Sequence, residues 1–81
     1  MELAENIKTI KNEIVGYEYV NYGGKQVNVM GYKDLLFFDE VKVILKVKNG
    51  ELLVIGKNLQ VLEVSHGFIT VKGEISSVTF S

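Results

Sequence analysis

Apolar and polar residues alternate along this chain with a helical period before Gly16 and a period of two after it. Leu3, Ile7, Ile10 and Ile14 stand 4, 3 and 4 residues apart, which is one apolar stripe on an α-helix. Residues 2–15 are therefore predicted to form an amphipathic helix, with Gly16 as its cap. Such a stripe usually docks on the chain's own core. Its polar positions mix Glu2, Glu5 and Glu13 with Lys8 and Lys11, which suits a membrane surface poorly.

The period-two region predicts strands over 17–22 and 26–31, joined by a turn at "NYGGK" (21–25), then a short strand over 35–38 and a turn at "DE" (39–40). The next run, 41–48, puts Val41, Val43, Leu45 and Val47 on one face and Lys42, Lys46 and Lys48 on the other. Asn49-Gly50 is the strongest short hairpin signal, because both central positions of a type I′ turn want positive φ. Strands over 51–56, 59–64, 68–73 and 76–80 complete the pattern, with "SHG" (65–67) as a turn. The expected fold is mainly β: an antiparallel meander of about seven to eight short strands, closed as a small barrel or folded over as a two-sheet sandwich, after one N-terminal helix. Residues 1–16 would be the helix and 17–81 the β-meander, together one compact domain.

Two stretches, "GELLVIGKNLQV" (50–61) and "GFITVKGEISSV" (67–78), repeat one pattern 17 residues apart. Its core, a short apolar alternation ending in glycine, also occurs earlier: Val27, Val29, Gly31; Leu52, Val54, Gly56; and Ile69, Val71, Gly73. A second alternating run follows each copy. Glycine between two such runs marks a bend or bulge, because it alone takes unusual dihedrals without a Cβ clash. Gly31, Gly50, Gly56, Gly67 and Gly73 are thus expected to be structural corners. A phosphate loop would need clustered glycines opening a helix, and none of these precedes one.

Composition narrows the chemistry. With 81 residues, nearly half of them apolar, there is one core, and a domain of this size buries only about 60–65% of its unfolded surface. Help from self-association would fit that economy of core. Nine lysines and no arginine oppose ten carboxylates, so a broad electrostatic footprint for nucleic acid is missing. The absence of cysteine rules out disulfides, thiolate zinc sites and a thiol nucleophile. Charges recur through the first 20 residues and no long apolar run exists, so neither a signal peptide nor a spanning helix is expected.

Candidate reactive groups are few. His66 is the lone histidine and reads as a surface turn residue, since a metal needs three or four converging ligands. Asp39 and Glu40 are adjacent in a turn, where neighbouring side chains diverge rather than face a substrate together. No catalytic, metal or cofactor site is expected, and the protein is read as a non-enzyme. A partner surface could be built from Lys42, Lys46 and Lys48 with Ile44 among them, or from the tyrosines Tyr17, Tyr19, Tyr22 and Tyr32, whose rings serve interfaces and small cores alike.

The run from "GYKDLLFFDE" (31–40) through "VILKVKNGELLVIGKNLQVLEV" (43–64) to "GFITVKGEISSVTF" (67–80) resembles the YabP/YqfC family of small sporulation proteins of endospore-forming Firmicutes. The matching positions are Gly31, Phe38, Asp39, Gly50, Leu52, Val54, Gly56, Asn58 and Leu59, then Leu62, Glu63, Gly67, Ile69, Val71, Gly73, Ile75 and Phe80. "GGKQVNVMGYK" (23–33) leans toward the YqfC-like branch. The resemblance implies a role in cortex or coat formation beside a sporulation membrane protein, without a known catalytic residue; the mechanism expected from strand edges and faces is contact with that protein or with copies of the chain itself as a homo-oligomer. It also implies a cytoplasmic location in the sporulating cell, peripheral at the forespore membrane through that partner. A different class of reading is an Sm-like single-stranded RNA-binding module, echoed by "GYKDLLFFDEVKVIL" (31–45). That echo lacks the RNA-reading Asn just after the Phe-Asp turn, where residues 40–43 are Glu, Val, Lys and Val.

Overall fold

The inward faces of five strands form the core, and alternation decides which side chains enter it. Val43, Leu45 and Val47 point in from one strand and Leu52 and Val54 from the next, while Val27, Val29, Ile69 and Val71 come from two others; all nine are at most 1% exposed. Tyr17 and Leu59 complete this single cluster. The protein is described from a computed structural model covering residues 16–65 and 67–81, and the backbone of residues 7–12.

Among the described residues seven strands make one antiparallel sheet: β1 Ile7–Asn12, β2 Tyr17–Tyr22, β3 Gln26–Met30, β4 Asp34–Phe38, β5 Lys42–Val47, β6 Gly50–Ser65 and β7 Phe68–Phe80. Their spatial order is β1-β2-β3-β7-β6-β5-β4, so the sheet stays open with β1 and β4 at its edges. The barrel expectation gives way to an open sheet. The first half of β7 pairs with β3, and it also pairs with the second half of β6. The second half of β7 pairs with the first half of β6, which in turn pairs with β5. The long β6–β7 hairpin therefore runs through two layers, folding the sheet over its own apolar face. A molecular extent of 33 × 30 × 22 Å matches two sheets about 10 Å apart plus their outer side chains.

Four expectations are corrected. The helix predicted over 2–15 is a strand over Ile7–Asn12, paired with β2 from Ile7↔Tyr22 to Asn12↔Tyr17; residues 2–6 and 13–15 lie outside the described residues. A short isolated helix is marginal in water, whereas Ile7, Thr9 and Ile10 are β-branched residues suited to the open edge of β2. Second, the strands expected over 51–56 and 59–64 are one strand, as are those over 68–73 and 76–80. Register shifts at Ile55/Gly56 and Lys57/Gln60 show that the chain bends without leaving its ladder.

Third, the Asn49-Gly50 signal marks a real hairpin, but its centre is Lys48-Asn49. Asn49 carries the positive φ of 69° and Gly50 already pairs with Val47. Fourth, the strand order is not that of a simple meander. Residues Gly31 to Lys33 carry the chain from β3 past the β6–β7 turn to the far edge, with Gly31 N–H donating to the Gly67 carbonyl at 2.7 Å and Tyr32 Oη to the Ser65 carbonyl at 3.1 Å. The β2–β3 turn follows expectation: Gly23 and Gly24 take φ of 63° and 76°, and Lys25 N–H donates to the Tyr22 carbonyl.

Candidate functional site

The glycines expected at corners occupy three different settings. Gly56 and Gly73 lie on the facing strands of the β6–β7 bend. A Cβ on Gly73 would stand 2.7 Å from the Asn58 carbonyl oxygen and 3.0 Å from Leu59 Cα, and one on Gly56 would run into the Glu74 carbonyl. Each thus lets the opposite backbone approach. Nearby, Gly56 N–H and Leu59 N–H donate to the carbonyls of Val41 and Glu40, while Gly73 N–H and Ile75 N–H donate to those of Lys25 and Gly24. The bend is pinned at both flanks by turns from the two layers.

Gly50 sits under the Phe80 ring, where a Cβ would lie 2.5 Å from Phe80 Cζ. Gly31 and Gly67 occupy the crossing of the β3–β4 link over the β6–β7 turn. All five therefore serve scaffold geometry. Two hollows lie beside them, one lined by Gly23, Gly24, Lys25, Lys57 and Glu74, another by Gly31, Tyr32, Lys33, Ser65 and Gly67.

The three lysines lie on β5 and the turn after it. Lys42 and Lys46 share the outer face of β5 with Ile44, and Lys42 Nζ stands 5.5 Å from the centre of the Phe37 ring, a cation–π distance. Lys48 belongs to the β5–β6 turn, its stem against Gly16. The tyrosines differ in burial. Tyr17 is buried and stacks on Tyr19 at 6.4 Å and on Phe80 at 6.0 Å between ring centres, so it joins the two layers and offers no surface to a partner. Tyr19 packs half-buried against the core. Burial pushes the phenols of both above the ordinary tyrosine range, and for Tyr19 the neighbouring Tyr17 adds to the shift.

Asp39 and Glu40 are exposed in the β4–β5 turn. Asp39 Oδ1 accepts hydrogen bonds from the N–H groups of Val41 and Lys42, each at 2.9 Å, an Asx arrangement that holds the turn. His66 lies outside the described residues. Among the described residues no three His, Cys, Asp or Glu side chains converge, and no helix is long and apolar enough to cross a membrane.

Sequence periodicity did not single out the exposed apolar run that ends in this turn. Leu36, Phe37 and Phe38 on β4 are 44–45% exposed and Val41 is 52% exposed. "LLFF" is as apolar as a buried strand, and only the strand order reveals that it lies at an edge.

A family model described as the YabP family matches residues 21–81, the span from the β2–β3 turn to the end of β7. No curated protein and no solved structure matches the chain.

Proposed function

Because this chain belongs to the YabP family, we propose that it serves bacterial endospore formation, at the cortex or coat stage, as a non-enzymatic assembly protein acting through protein–protein contacts. The observation that carries the reading is the match itself, which spans nearly the whole sandwich. It favours a sporulation role over Sm-like RNA binding. The distribution of chemistry supports the non-enzymatic part: the glycines serve a bend, turns and close contacts, and Asp39 holds its own turn. What the fold presents outward is a strand edge, an apolar run and lysines on the outer face of β5, which are features of contact surfaces.

In this reading the partners are copies of the same chain and a sporulation membrane protein, which would hold it peripherally at the forespore membrane from the cytoplasmic side. The "GGKQVNVMGYK" stretch supports placing it in the YqfC-like branch. Deletion of the gene in its host, with heat-resistant spores counted, tests the role. A loss of resistant spores is expected, and an unchanged count would overturn the reading.

A further inference from the structure

The edge strand β4 identifies its own partner. Among the described residues it pairs with β5 alone, and none of them pairs with the backbone donors and acceptors on its other side. Between Leu35↔Leu45 and Phe37↔Ile44 the register steps past Leu36, which has no β5 partner. Phe37 and Phe38 point to opposite faces of the strand, yet both are exposed to a similar degree; beyond Leu35, which packs against the core, both faces of β4 are open. Edges are normally guarded by charge. β1 carries Lys8 and Lys11, while β4 runs Asp34-Leu35-Leu36-Phe37-Phe38 without a lysine, glycine or proline inside it.

Charge at the two ends of this run selects an occupant. Lys33 precedes the strand and Asp39 follows it, at equal distances from Leu36. When a second β4 is laid antiparallel with Leu36 opposite Leu36, Lys33 of each copy falls opposite Asp39 of the other. Asp34 then meets Phe38, and Leu35 meets Phe37. A shift of one residue in one direction sets Asp34 against Asp39, so the two Lys33–Glu40 pairs it creates are offset by two like-charge pairs, and a shift of two sets Asp34 against Glu40 and leaves Lys33 opposite Val41. Shifts in the other direction remove both opposite-charge pairs. Cross-strand opposite charges favour a register and like charges disfavour it.

We infer that β4 pairs antiparallel with β4 of a second copy of this chain about a two-fold axis at Leu36, joining two sandwiches through a continuous sheet. The inference rests on the assembly reading above and gives that contact an address. An isologous contact closes after two copies, so the apolar edge is consumed without open-ended growth. Five residues a side make a small interface of the weak, reversible class.

The chain has no cysteine, so a single introduced thiol reports the axis. In the Leu36→Cys variant the two thiols lie on directly opposed residues, whose Cα atoms are about 4.5–5.5 Å apart, within disulfide reach. In Phe38→Cys each thiol faces Asp34 instead. Mild oxidation is expected to turn Leu36→Cys into covalent dimer and to leave Phe38→Cys largely monomeric. Sedimentation of the unmodified protein should show a concentration-dependent dimer, which Leu36→Lys and Lys33→Glu both abolish. Circular dichroism of each variant should match the parent, since these side chains are exposed or outside the core. A dimer that survives Leu36→Lys, with equal cross-linking at positions 36 and 38, would overturn the β4 contact while leaving self-assembly standing. A parent protein that stays at 9.1 kDa from micromolar to millimolar would overturn both.

Discussion

Tyr17 shows how one side chain ties the two layers. It opens β2 and faces inward, and its ring lies between Tyr19 on its own strand and Phe80 at the end of β7. Its phenol, like that of Tyr19, ionises above the ordinary value because burial disfavours the phenolate. In the unfolded chain both ionise near pH 10. Between that pH and the raised folded values, the folded state holds more protons than the unfolded one, so stability falls as pH rises. Their contribution is complete below about pH 10 and is lost through the folded values. An alkaline titration of tyrosinate absorbance is expected to run later for the folded protein than for the chain in denaturant, and Tyr17→Phe should narrow the gap. Superimposed curves would contradict the burial. The sequence left Tyr17 balanced between core and surface, because an amphipathic ring suits both; its inward position depends on the register with β1 and β3, which are distant choices.

β6 and β7 are each a strand and a corner at once. The alternation Leu52, Val54, Gly56 and its counterpart Ile69, Val71, Gly73 could be read directly as inward faces ending in glycine, and these positions are where the hairpin bends. What alternation could not convey was that hydrogen bonding continues through the bend. That depends on bulges at Lys57/Gln60 and Val61/Glu63 and on Asn58 taking a φ of 54°, features without a periodic signature. Nor could the apolar spacing Leu3, Ile7, Ile10, Ile14 separate a helix from a strand laid on the edge of β2, since Ile7 and Ile10 satisfy the helical period while the backbone pairs residue by residue.

The corner glycines separate by what surrounds them. Gly67 has a φ of 77° but open space where a Cβ would point, whereas Gly73 combines a φ of 142° with backbone within 3 Å. Gly67→Ala is expected to cost about 1–2 kcal/mol, the left-handed backbone penalty alone. Gly73→Ala should cost at least about 2 kcal/mol more, through overpacking against a neighbour that cannot yield. Denaturant unfolding of the two variants measures the difference, and equal losses would show that the bend tolerates a side chain.

For the whole molecule, the decisive event is the three-residue link from β3 to β4. It places β4 at the opposite edge from β1 and leaves β7 to pair with β3. No local pattern encodes this order, because strand pairing between β3 and β7 joins positions about 40 residues apart in sequence, as in Val27↔Val71. The same order turns an apolar run that reads as core into an exposed edge, so the candidate contact becomes visible only in the assembled sheet. The family resemblance, by contrast, was readable from the glycine and apolar spacing of residues 31–80 and is matched over residues 21–81. Scaffold positions carry it, and they hold out the surfaces on which function is proposed to lie. The most direct measurement is the count of heat-resistant spores in a strain lacking the gene, complemented by the parent chain, by Leu36→Lys, or by Leu62→Lys, which places the same change at another exposed leucine. The parent and Leu62→Lys should restore resistant spores while Leu36→Lys should not; full restoration by Leu36→Lys, or undiminished spores without the gene, would contradict an assembly role exercised through β4.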